Sequence, residues 1–197
     1  SALLEAMQEQ QVTVDVETIR LPRPFLVLAT QNPIELEGTF PLPEAQLDRF
    51  LMRISIGYPD ESEENDILLR FEQEDPLETL QAVVEAADLL AMQQQIREIE
   101  VQDRVREYIV RLARTTREHE AVELGVSPRG TMGLYRTAQA LAALRGRGYV
   151  TPDDVKALAL PVLSHRIIIN PQVRLRGQRP DEVLIDIVRS VPVPVER

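Results

Sequence analysis

The sequence predicts a short α/β segment followed by an all-α domain. Three observations carry this expectation. The apolar run at 25–29 ends abruptly in the polar cluster Thr30, Gln31 and Asn32. A second strand-like run at 50–56 follows it after a loop rich in Pro and Gly and a short helix, which is the order of an α/β unit. From Asp60 to the end, apolar residues recur at helical spacing. The change of character falls at Gly57-Tyr58-Pro59, so the expected domains are 1–58 and 59–197.

The elements follow in chain order. Residues 1–8, with Leu3, Leu4 and Met7 at helical spacing, read as the end of a helix that nothing ahead of it caps, as if the chain began inside a fold. Alternation of apolar and polar residues at 11–16 and 18–21 suits a projecting β-hairpin, although its turn contains no Gly. The run at 25–29 is apolar throughout, as a strand buried on both faces of a parallel sheet would be. A loop at 35–43 leads to a short helix at 44–49 and then to the second strand. Beyond the boundary, Val105, Tyr108, Ile109, Leu112 and Ala113 keep the i, i+3, i+4, i+7, i+8 rhythm of a helix with one buried face. The same rhythm returns at Val155, Leu158, Ala159, Val162 and Leu163, and at Val183, Leu184, Ile187, Val188 and Val191. Ser127-Pro128 and Thr151-Pro152 each place a capping hydroxyl ahead of a proline at the first helical position.

Composition narrows the classes of function. With 44% hydrophobic residues in 197, the chain can bury a real core. A net charge of -10 disfavours broad binding to nucleic acid, whose phosphates an acidic surface repels. There is no apolar run of the roughly 18 residues a bilayer span requires, so a cytoplasmic protein without membrane contact is expected. Zero cysteines and two separated histidines, His119 and His165, make a structural metal unexpected. The basic stretch Arg166, Arg174, Arg176 and Arg179 is read as arginines on the exposed side of a packed tail. The acidic cluster Asp60, Glu61, Glu63, Glu64 and Asp66 is read as a helix start, and Glu35 and Glu37 as solvated loop carboxylates.

Three polar residues stand out by placement. Asn32 lies just past the first strand, Arg49 ends the helix leading to the second, and Arg129 occupies the first turn of a capped helix. Singly, each is explained as a turn residue, a surface ion-pair partner or a solvated arginine. Together with their surroundings they read differently. The segments SALLEAMQEQ, LATQNPIELEGTFPLPEAQLDRF, ISIGYP, SPRG and YVTPDDVKALALPVLSHR, in that order, resemble the MoxR family of AAA+ ATPases over nearly the whole chain.

That resemblance implies the rear part of an AAA+ P-loop ATPase α/β core with a β-hairpin insert at 11–21, then a helical lid. It implies that the strand at 25–30 carries Asn32 as the sensor-1 residue orienting the attacking water. Arg49 is then the arginine finger reaching a neighbouring subunit's nucleotide, and Arg129 the sensor-2 arginine contacting ATP phosphates in cis or in trans. Guanidinium and amide groups suit this chemistry, because phosphoryl transfer rests on positioning and on neutralising charge on the γ-phosphate. The cofactors implied are ATP and magnesium. The partners implied are further copies of the chain in a ring, expected to be a hexamer, and a protein with a von Willebrand factor A domain; the client role implied is chaperone-like remodelling or maturation of protein complexes. The sequence contains no G-x-x-x-x-G-K-[ST] phosphate loop, and no acidic run after an apolar strand supplies a magnesium ligand. The resemblance places both ahead of Ser1, so this chain by itself is expected neither to hydrolyse ATP nor to bind it tightly. Three other readings are a magnesium-chelatase-like subunit, a non-catalytic helical interaction module, and a DNA-dependent motor that the charge of -10 weighs against.

Overall fold

The computed structural model describes residues 2–31, 42–72 and 75–194. Asn32, Glu35, Glu37 and most of the loop expected at 35–43 lie outside the described residues.

The chain opens with helix α1 (Ala2–Glu9), which packs on a hairpin of β1 (Gln11–Val14) and β2 (Glu17–Arg20). Val14 pairs with Glu17, so the turn is the two residues Asp15 and Val16. Asp15 takes a φ of 55°, the left-handed conformation that Asp tolerates better than most residues, and this is how the turn closes without Gly. Glu5 of α1 anchors the arm: it accepts from the Thr13 hydroxyl at 2.6 Å, the Thr13 amide at 3.2 Å and Gln11 Nε2 at 3.2 Å.

The two runs expected as buried strands differ from that expectation. Residues 25–31 and 52–60 form no ladder, and Leu26, Leu28, Ile54 and Ile56 are 76%, 86%, 71% and 96% exposed. The physical reason is the absence of neighbours: among the described residues no strand lies alongside to accept their backbone hydrogen bonds or cover their side chains. The short helix between them, α2 (Glu44–Leu47), is present.

Helices α3 (Glu61–Phe71) and α4 (Ala86–Ile96) follow, with no fully buried residue in either. Asp60 caps α3, accepting from the Glu63 amide at 2.9 Å while Glu63 accepts from the Asp60 amide at 3.0 Å, so the acidic cluster does mark a helix start.

The core belongs to α5 (Asp103–Glu118), α6 (Pro128–Leu144), α7 (Pro152–Leu163) and α9 (Pro180–Ser190). Their expected stripes are the buried faces: Tyr108, Ile109 and Leu112 meet Leu134, Val155, Val162, Leu163, Leu184 and Ile187, all at most 1% exposed. Between the helices run β3 (Val122–Leu124) and β4 (Ile168–Ile169), which pair antiparallel, the 3-10 turn Ser164–Arg166, and the short α8 (Pro171–Leu175). The α6–α7 connection is locked by Asp154, a fully buried carboxylate that accepts from Arg145 at 2.8 Å, from both terminal nitrogens of Arg147 and from the Thr151 amide and hydroxyl at 2.9 and 2.8 Å. No helix among the described residues is long and apolar enough to cross a membrane.

Candidate functional site

The hydroxyl that starts α6 does more than cap it. Ser127 Oγ accepts from the Gly130 amide at 3.2 Å and donates to the Asp48 carboxylate, 2.9 Å from Oδ1 and 3.0 Å from Oδ2. Asp48 sits at the end of α2, immediately before Arg49. A serine and an aspartate 79 residues apart thereby join the segment carrying Arg49 to the first turn of the lid helix carrying Arg129.

A third element closes the joint. Arg166, in the 3-10 turn after α7, is 2% exposed in its side chain, and burial pulls its pKa down while the bond to Asp48 works to hold it up. Its NH1 donates to the Asp48 carbonyl at 2.7 Å and to Asp48 Oδ1 at 2.6 Å. Its NH2 donates to the carbonyls of Phe50 and, at 3.2 Å, Leu51, and its Nε to the Val162 carbonyl at 2.8 Å. A buried guanidinium has five donors to satisfy, and these carbonyls together with one carboxylate meet that need.

His165 adds a neighbouring contact, with Nε2 3.1 Å from the Phe50 carbonyl. A carbonyl only accepts, so Nε2 carries the proton and Nδ1 the lone pair; Nδ1 is buried without a partner. Burial pushes the imidazole pKa down, against the pull of the Phe50 carbonyl and with Arg166 and Arg53 acting the same way as burial. The Arg53 amide donates to the Pro161 carbonyl at 2.7 Å, and its guanidinium lies 3.5 Å from Asp181.

Arg129 is held loosely: its NH1 is 3.8 Å from Asp48 Oδ2, and its side chain is 48% exposed. Arg49 contrasts with it, because Nε and NH1 are buried and have no hydrogen-bond partner among the described residues. Asp48 is the adjacent carboxylate, but its oxygens are engaged by Ser127 and Arg166. With these two nitrogens lacking an acceptor among the described residues, the half-buried guanidinium is suited to receive an anion with oxygens in its plane.

Of the residues singled out in the sequence, Arg49 and Arg129 are brought to one joint through Asp48, whereas Asn32 lies outside the described residues. The reading of the basic stretch holds for Arg174, Arg176 and Arg179, which are exposed, and fails for Arg166. Arg166 follows the apolar face of α7 and precedes Ile167, Ile168 and Ile169, so an exposed position was never available to it; an arginine in such a setting must be paired. That setting was the signal for Arg166, and the acid directly before Arg49 was the signal for its partner.

Two family models match the chain: the ATPase family associated with various cellular activities (AAA) at residues 1–52, and the AAA lid domain at residues 114–187. YeaC of Bacillus subtilis is 47% identical over 197 residues, covering 100% of this chain and 62% of that protein. Chaperone MoxR1 of Mycobacterium tuberculosis is 39% identical over 203 residues, covering 98% of this chain and 53% of that protein. A crystal structure of a candidate ATPase from Cytophaga hutchinsonii superposes with a TM-score of 0.90 at 37% identity, over 98% of this chain and 61% of that one. The chain thus spans between 53% and 62% of the length of these relatives. The joint between α2 and the lid, a relative named MoxR1 and the AAA core and lid matches agree, and the chain belongs to the MoxR family of AAA+ ATPases.

Proposed function

We propose that the chain is the rear part of a MoxR-type ATPase, with 1–58 ending the α/β core and 59–197 forming the lid, in which Arg49 serves as the arginine finger. The observation that carries this reading is the guanidinium of Arg49, whose Nε and NH1 are buried and meet no acceptor among the described residues. A cation prepared in this way gains most from an anion that arrives from outside, and the γ-phosphate of a nucleotide held by a neighbouring copy is such an anion. Arg129, loosely paired and half exposed, is the sensor-2 arginine that exchanges the Asp48 carboxylate for phosphate oxygen. Asn32 is the sensor-1 residue that orients water.

ATP and magnesium are the cofactors, and their main cradle is a phosphate loop that these 197 residues do not contain, so the chain by itself is inactive. Copies assemble as a ring, in our reading a hexamer, because a finger acting in trans requires a neighbour at every nucleotide. The work done is chaperone-like remodelling of protein complexes, supported by the likeness to the chaperone MoxR1, and the partner is a protein with a von Willebrand factor A domain.

The test is Arg49→Ala in the full-length ATPase. ATP binding should stay within about threefold of wild type while turnover falls by roughly 10³-fold, the lower end of what an arginine finger contributes. Unchanged turnover would remove Arg49 from the role.

A further inference from the structure

We infer that Arg166, lying in a channel opened by Gly130 on α6, is a positioning residue that fixes the backbone on both sides of Arg49 to the lid. The inference rests on the reading of Arg49 as the phosphate-contacting arginine. Two independent observations support it.

The first is the pattern of bonds. Arg166 takes the carbonyls of residues 48, 50 and 51 and the Asp48 carboxylate, so it grips the chain immediately before and after position 49 without bonding the Arg49 side chain. Its Nε is tied to Val162 of α7, which makes the finger segment a rigid extension of the lid. Asp48 also faces Arg129, so a lid rotation that moves the sensor-2 arginine carries the finger with it.

The second is the space on α6. A Cβ on Gly130 would stand 2.9 Å from Arg166 Cδ and 2.7 Å from Val126 Cγ1, closer than carbon atoms pack. Gly130 lies in the first turn of α6, and the room it leaves is shared by Val126 and Arg166. A Cβ on Gly133, one turn on, would stand at ordinary contact distance, 3.5 Å from Leu51 Cδ1 and Val162 Cγ1 and 3.7 Å from Arg166 NH2.

Arg166→Lys and Gly130→Ala in the full-length ATPase test the inference, with activity and amide hydrogen exchange both measured. Lysine keeps the charge beside Asp48 but cannot span five acceptors from one head group. In both variants kcat should fall about tenfold or more with KM for ATP within about threefold, as for a displaced catalytic group. The Arg53 amide should exchange about tenfold faster while α5 and α9 core amides stay unchanged, since only the local joint opens. Adding Arg166→Lys to Arg49→Ala should cause no further loss of turnover, because the one acts through the other. Turnover within twofold of wild type in both variants would overturn the positioning role. Should the wild-type protein itself fail to hydrolyse ATP, the ATPase reading falls and the exchange measurement decides the clamp: faster exchange confined to 48–53 supports it, and unchanged exchange overturns it.

Discussion

Replacing Asp154 by Asn removes the charge from the most heavily bonded carboxylate in the lid. The side chain is fully buried, and Arg145, Arg147 and Thr151 supply its hydrogen bonds. Burial alone would raise its pKa; the bonds from Arg147 and Thr151 outweigh burial and bring it down from 3.8 to about 2. A drop of nearly two units at ~1.4 kcal/mol each is worth about 2.5 kcal/mol of folding stability. Arg145 and Arg147 are 49% and 25% exposed, so solvent screens the pairs and about 2 kcal/mol is the working figure. Because the folded pKa lies below the unfolded value, this stability is present above pH ~4 and is lost as pH falls toward 2. Urea unfolding followed by circular dichroism at pH 7 should show Asp154→Asn less stable by about 2 kcal/mol, and the gap should close on acidification. A difference under ~0.5 kcal/mol at pH 7, or one that persists undiminished at pH 2, would refute the reasoning.

His165 makes the joint acid-sensitive. Its imidazole pKa is depressed chiefly by burial, with Arg166 and Arg53 adding to the effect, so the stability it contributes is present above pH ~6.5 and lost as pH falls below that. The protection factor of the Arg53 amide should therefore drop between pH 7 and 5, and His165→Gln should flatten that profile; a flat profile in wild type would contradict it. Tyr108→Phe should leave the lid as stable as before or stabilise it by up to ~1 kcal/mol, because the buried hydroxyl has no hydrogen-bond partner among the described residues to lose. Thermal unfolding checks this, and a loss above ~1 kcal/mol would reveal a bond made through water.

What was legible in the sequence was local. The helix starts at Ser127 and Thr151 are written in two consecutive residues each, and the buried faces of α5, α7 and α9 in periodicity. The hairpin was legible from alternation, even though its turn uses Asp15 where Gly was looked for. The clamp was not legible, because Arg166 and Asp48 are 118 residues apart and no spacing rule links them. Arg49 and Arg129 stood out by placement and took their roles from resemblance; that Arg129 faces the carboxylate of the residue before Arg49 is a tertiary fact. The runs at 25–29 and 50–56 carry strand-like sequences, but strand pairing depends on neighbours that a run of apolar residues does not specify.

In the proposed function Arg49 acts at a nucleotide held by the adjacent copy. Equal amounts of Arg49→Ala and Asn32→Ala subunits of the full-length ATPase, each inactive alone, should be mixed and assayed for ATP turnover. Random assembly brings an intact finger to an intact sensor at about one interface in four, so turnover near a quarter of the wild-type rate is predicted. A mixture as inactive as its two components would contradict a finger that works across the subunit boundary.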